Sequence, residues 1–327
     1  MKKGGFILAL LAAVGLAILF PQLGAKDGVL RAGLVSQFGV MVIFLLQGLI
    51  LPTRKLAGGL RHPRLHLFTQ GWIFIASAAI LLVGGRILLN LGLPGLADGF
   101  FFLALLPTTI SSAVILSSAA GGDVPSAIFN VSLANILGVF WVPTACLFIF
   151  SPGDAFPIEL MGPLLWKIAR LILLPLIVGQ VLRPFIYERK AFIASIPWFK
   201  VISNGIILFI VFASFSQGLL SSAWDAIGPL AIGILLAVTL GAVILIHSGN
   251  WLAGRRLCAN HSERVTALFC GSQKTLAAGA PIALAVFSGS EPFVQVNLGL
   301  LLLPLLCYHS LQLLLGSMLL PFLSNAR

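Results

Sequence analysis

The stretch "FCGSQKTLAAGAP", Phe269 to Pro281, sets Gly271, Ser272, Gln273, Lys274 and Thr275 in a row inside an otherwise apolar run. Hydroxyls, an amide and an ammonium group together can hold an ion or an anionic solute. They do not form a hydrolytic or redox set. A second polar interruption reads "LALLPTTISSAVILSSAAGG", in which Pro107 is followed by Thr108, Thr109, Ser111 and Ser112. Proline lacks the N–H that a helix needs and disrupts the turn before it. In a helix facing lipid both clusters would be unfavourable. In a broken helix that lines a cavity, the side chains and the freed backbone groups become ligands.

The elements that carry these clusters are membrane spans. The chain has 327 residues, of which 59% are hydrophobic and 9% charged, against about 25% charged in an ordinary soluble domain. Its apolar runs reach the roughly 20 residues that cross a bilayer. Ten such segments are expected, near 5–22, 32–51, 67–90, 99–119, 125–150, 160–183, 199–219, 227–249, 264–287 and 292–323, all in a single transmembrane domain, 1–327. The start, "MKKGGFILALLAAVGLAILF", has the make-up of a signal peptide. Large Leu23 stands where cleavage wants a small residue, so an uncleaved first span is expected.

The net charge of +11 does not indicate nucleic acid, because the basic residues sit in short connectors. "TRKLAGGLRHPR", "RPFIYERK" with Lys200, "GRRLCANHSER" and the two ends hold most of the 20 Lys and Arg. The alternate connectors hold Asp27, Asp98, Asp154, Glu159, Asp225 and Glu291 with few bases. By the positive-inside rule the basic side is cytoplasmic. Both termini then lie inside, as an even number of spans requires. The four cysteines show no CxxC or metal spacing and read as small apolar residues.

Ten spans divide into two sets of five, about 1–152 and 153–327. An odd-numbered repeat inserts upside down relative to its copy, the inverted repeat common in secondary transporters. The two polar interruptions fall in the fourth span of each half. The following spans add Ser126, Asn130 and Asn135, with Ser126 and Asn130 on one helix face, and Gln295, Asn297 and His309. Gln70 comes from span three. His309 reads as structural. Lys167 and Arg170 read as anchors that reach the headgroups.

Lys274 lies near the middle of its run with no such escape, and no Asp or Glu occurs at comparable depth. Ionisable groups at this depth are rare and mark pathways or counter-ions. Four readings stay open: attraction of an anionic solute, replacement of a bound cation, proton exchange, or a structural lysine that fixes two crossing helices.

With these motifs in hand, the sequence resembles the bile acid:sodium symporter family over nearly the whole chain. "FCGSQKTLAAG" resembles its bacterial branch, related to the divergent seventh-member bile-acid carriers. The resemblance implies a panel domain and a core domain, with spans four and nine broken and crossing in the core beside two sodium sites. Carried over by motif, Ser111, Ser112, Ser126, Asn130 and Gln273 would be sodium ligands, with Gln70 from span three. The family has a glutamate where this chain has Phe269, and an asparagine where it has Lys274. Like charges at about 4 Å repel by about 4 kcal/mol at an effective dielectric of about 20, so an ammonium there opposes a sodium site.

The expected function is therefore alternating-access transport of an organic, anion-like solute, coupled to sodium or protons, in a bacterial inner membrane. The solute and binding residues are expected among Gln70, Thr108, Thr109, Ser111, Ser112, Ser126, Asn130, Gly271, Ser272, Gln273, Lys274, Thr275, Gln295 and Asn297. Sodium is the one ion considered; no other cofactor and no nucleic-acid partner is expected. A non-transporting membrane regulator or ligand-binding protein is the alternative. An enzyme is not expected, because no pair of intramembrane carboxylates, Ser/His/Asp set or HExxH appears.

Overall fold

Two glycines on facing helices let two backbones meet closely in one half of the fold. A Cβ on Gly48 would collide with the carbonyl oxygen of Leu176, and one on Gly179 with that of Leu45. Small residues at such positions let helices in lipid pack backbone to backbone. The computed structural model describes residues 3–26, 28–50, 62–150, 158–187, 189–221, 224, 227–288 and 296–324. Among them the secondary structure is helical, with no strand.

In chain order the helices are α1 (Lys3–Leu19), α2 (Ala32–Ile50), α3 (Pro63–Gly71), α4 (Ser77–Asn90), α5 (Pro94–Leu105), α6 (Ser111–Ala119) and α7 (Val124–Phe150). They continue with α8 (Ile158–Ile168), α9 (Leu174–Ile186), α10 (Lys190–Leu219), α11 (Pro229–Leu257), α12 (His261–Ser272), α13 (Leu276–Phe287) and α14 (Leu298–Ser324). A π-helical turn, Trp72–Ala76, joins α3 to α4, and another, Ala169–Leu173, joins α8 to α9. Among the described residues, seven helical stretches are long and apolar enough to cross a bilayer: Ala32–Ile50, Pro63–Asn90, Val124–Phe150, Leu165–Ile186, Lys190–Leu219, Pro229–Leu257 and Leu298–Ser324.

The chain forms two compact units. Unit 1 comprises Met1–Leu51, Pro143–Ile227 and Ala277–Leu302. Here α2 packs on α9 and on α10, and α1 on α10. Gln180 Nε2 donates to Gly48 O at 2.6 Å. Lys167 differs from the headgroup anchor expected of it: it is half-buried and donates to Ser288 O at 2.6 Å, just past the end of α13. A cation suits the negative end of a helix.

Unit 2 comprises Pro52–Val142, Gly228–Leu276 and Leu303–Arg327. The turn between α4 and α5 needs Gly92 at φ +76°, and Gly84 and Gly85 lie against the rings of Phe100 and Phe101. The helix α5 stops at Leu105 because Pro107 drives Leu106 to extended backbone, ψ 143°. The helix α12 begins on a side-chain cap, Asn260 Oδ1 accepting from Glu263 N at 2.9 Å. It ends where Gln273 turns extended at ψ 152°. The chain resumes as helix at Leu276.

Over-packing a tight helix contact costs about 1–3 kcal/mol. Gly48→Ala and Gly179→Ala should each lower the unfolding temperature of the purified protein in detergent. Gly233→Ala, where nothing lies within 4 Å of the added carbon, should leave it unchanged.

Candidate solute and ion site

A helix that stops inside a protein leaves its last carbonyls without intrahelical partners. At and just past the end of α5, several carbonyls have partners. Ala104 O and Leu106 O accept from Lys274 Nζ at 3.2 and 2.9 Å. Pro107 O accepts from Thr275 N at 3.0 Å, and Thr108 O from Asn135 Nδ2 at 2.9 Å. The two helix breaks are thus tied directly to each other, and both lie in unit 2.

Lys274 is fully buried. Its third acceptor, Ile73 O at 3.0 Å, is supplied by the π turn. In an α-helix Ser77 N–H would donate to Ile73 O; here it donates to Trp72 O, one residue further back. Ile73 O accepts instead from Ser77 Oγ, at 2.7 Å, and from the ammonium. Three carbonyls match the three N–H groups of a protonated amine, which has no acceptor of its own. The charge also sits at the negative end of α5.

The backbone of the second break is held by span ten. Gln312 Oε1 accepts from Lys274 N at 2.7 Å, and Gln312 Nε2 donates to Lys274 O at 2.9 Å. Tyr308 OH donates to Ser272 O at 2.8 Å. His309 Nδ1 lies 2.9 Å from Gln312 Nε2, so that ring nitrogen accepts.

Around the breaks, Gln273 Oε1 accepts from Thr109 Oγ1 and from Ser112 Oγ, each at 2.6 Å. Two buried atoms here, Thr108 Oγ1 and Gln273 Nε2, have no hydrogen-bond partner among the described residues. Buried polar atoms are nearly always paired, so this hydroxyl and this amide donor are the candidates here to bind a ligand.

A second polar group of unit 2 joins span three to span five. Gln70 Nε2 donates to Asn130 O at 2.9 Å and to Asn130 Oδ1 at 3.2 Å. Asn130 Nδ2 lies within 2.9 Å of Ser126 O and 3.0 Å of His66 Nδ1. Ser126 Oγ donates to Asp123 Oδ2.

Of the residues singled out in the sequence, Thr108, Thr109, Ser112, Ser272, Gln273, Lys274 and Thr275 meet at the breaks. Gly271 lies beside them, where a Cβ would crowd Asn250 Nδ2 and Trp72. Gln70, Ser126 and Asn130 form the second group. Ser111 is exposed. Asn297 is in unit 1, where Asn297 Oδ1 accepts from Leu300 N at 3.1 Å and starts α14. Gln295 lies outside the described residues. Gln312, Tyr308 and His66 were not singled out as ligands. The only signal was Gln312 three residues from His309 in an apolar run, and polar residues at that spacing share a helix face.

The residues at the breaks suit sodium poorly: Lys274 Nζ occupies three carbonyls, Gln273 Oε1 already accepts two hydrogens, and Phe269 supplies no carboxylate.

Broken, mutually tied helices among long apolar ones define a polytopic helical membrane protein. The model of the SBF-like CPA transporter family matches residues 4–325, and the chain belongs to that family. It is 32% identical over 328 residues to sodium/bile acid cotransporter 7 of Danio rerio, covering 98% of this chain and 94% of the relative. It is 28% identical over 340 residues to the protein of the same name in Rattus norvegicus, covering 99% and 94%. It is 31% identical over 324 residues to the uncharacterized protein PA2026 of Pseudomonas aeruginosa, covering 96% and 91%. With its long apolar helices, the chain is an integral membrane protein.

Replacing Gln312 by Leu would leave Lys274 N and O unpaired in a buried site, at about 1–3 kcal/mol for each such group. Q312L should therefore unfold several degrees below wild type in detergent, and Q312E, which keeps one acceptor, should fall between them.

Proposed function

We propose that the chain is a secondary carrier of an organic anion that works by alternating access. In this reading ten spans form inverted repeats, about 1–152 and 153–327, with both termini on the cytoplasmic side of a bacterial inner membrane. The three spans beyond the seven long ones are α1, the pair α5 and α6, and the pair α12 and α13. Each half of a broken span is too short to count alone. A panel domain and a core domain would move against each other, the core carrying both broken spans. The name of the cotransporter relatives supports an acidic, steroid-like solute.

The observation that carries this is the bond from Thr275 N to Pro107 O, which fastens one break to the other. Around it lie paired hydroxyls, the Gln273 amide and a buried cation. A net positive charge favours an anion. Lys274, with three carbonyl partners, acts as a built-in replacement for a bound sodium ion. The carbonyl set supports a permanent replacement rather than a titrating one, because a neutral amine would turn a lone pair toward one of them.

The test is uptake of labelled taurocholate into proteoliposomes under imposed ion gradients. Wild-type uptake should persist when choline replaces sodium. Lys274→Asn should either abolish uptake or make it depend on sodium. Sodium-dependent uptake unchanged by the substitution would refute the replacement role. Binding without flux would favour a ligand-binding regulator.

A further inference from the structure

At the other polar end of unit 2, a histidine stands between two carboxylates. His62 Nδ1 lies 3.0 Å from Glu263 Oε1, and His62 Nε2 lies 4.0 Å from Asp123 Oδ2. The three residues come from three elements: the residue before α3, the start of α12, and the turn before α7. Glu263 is buried, and its second oxygen accepts from Ala259 N at 3.0 Å, so its orientation is fixed by the start of its own helix. Asp123 is fixed by Thr266, whose Oγ1 accepts from Asp123 N at 2.8 Å. Ionised carboxylates only accept hydrogen bonds, and a neutral imidazole has one N–H. At 3.0 Å the Glu263 contact has hydrogen-bond length and at 4.0 Å the Asp123 contact is an ion pair only, so both attractions exist together only for the imidazolium.

We propose that His62, with Glu263 and Asp123, is the exchangeable proton site of this chain. A proton bound there ties the starts of α3, α7 and α12 together, and its loss releases one of the ties. Those three elements lead to Gln70, to Asn130 and to Gln273–Lys274, so the proton acts on the frame that presents the polar residues. A cavity of about 340 Å³ lined by His62, Arg64, Arg256, Cys258 and Glu263 gives the site access to solvent. Lys274, by contrast, is fully buried and holds three acceptors. Proton coupling therefore runs through His62, a role in transport that rests on the carrier reading above.

The other titratable and charged groups around the site are Arg64 and His66 on α3, Arg255, Arg256 and Cys258 at the end of α11, and His261 and Arg264 on α12. Arg264 donates Nε to Trp251 O at 2.8 Å and lies 3.4 Å over that ring. His261 Nε2 is 3.1 Å from Leu323 O. Burial pushes the Cys258 thiol up to about 11, with Glu263 adding to the shift, so it stays uncharged. The second tie needs the imidazolium, so a lower pH favours it and a higher pH weakens it.

The test is hydrogen–deuterium exchange of the purified full chain in detergent, at about pH 5.5 and about pH 8, corrected for intrinsic rates. Peptides covering 63–66, 121–127 and 260–264 should exchange up to about fivefold more slowly at the lower pH, the factor expected of a partly exposed ion pair. His62→Gln and Glu263→Gln should each remove the difference, and Asp123→Asn should reduce it. Equal exchange at both pH values in the wild type overturns the proposal, as does a difference that survives in H62Q or in E263Q. The measurement needs no solute. If taurocholate uptake fails while the exchange pattern holds, the carrier reading falls and the proton site stands.

Discussion

One ammonium group on three backbone oxygens holds the centre of unit 2 together. Lys274 joins the interrupted end of α5, the π turn of span three and the break after α12, three segments that share no continuous hydrogen-bond ladder. A charge without a carboxylate partner would be costly in a membrane. Here it is met by three carbonyl dipoles, two of them at the end of α5. The helix ends need a donor and the lysine needs acceptors, and each requirement answers the other.

The resemblance read from the sequence implies a glutamate and an asparagine where this chain has Phe269 and Lys274. Phe269 is buried against Leu116, Val265 and Leu268 and belongs to an apolar core. In the proposed carrier, Lys274 would stand in for a dissociable cation.

Much of this was readable from residue types. Pro107 predicted the first interruption, and it falls where expected because a residue before proline leaves the helix. The run Gly271–Thr275 predicted the second. The depth of Lys274 and the lack of any nearby acid also came from the sequence. What held the lysine did not: its partners are main-chain oxygens of Ile73, Ala104 and Leu106, and apolar side chains give no hint that their carbonyls are exposed to a donor. The π turn is equally silent in "WIFIA". Asn297 shows the opposite ambiguity, since a polar residue near a span can just as well start a helix as line a cavity.

The π turn carries one more implication. It amounts to a single residue inserted into a helix, and one residue shifts the phase of all that follows by about 100°. The face of α4 on which Gly84 and Gly85 receive the rings of Phe100 and Phe101 is therefore set by the same insertion that turns Ile73 O toward the ammonium. Removing one residue from that turn would straighten the rod, and it would also rotate the glycine seat away from α5. Anchoring the cation and docking the neighbouring hairpin thus constitute a single inherited trait.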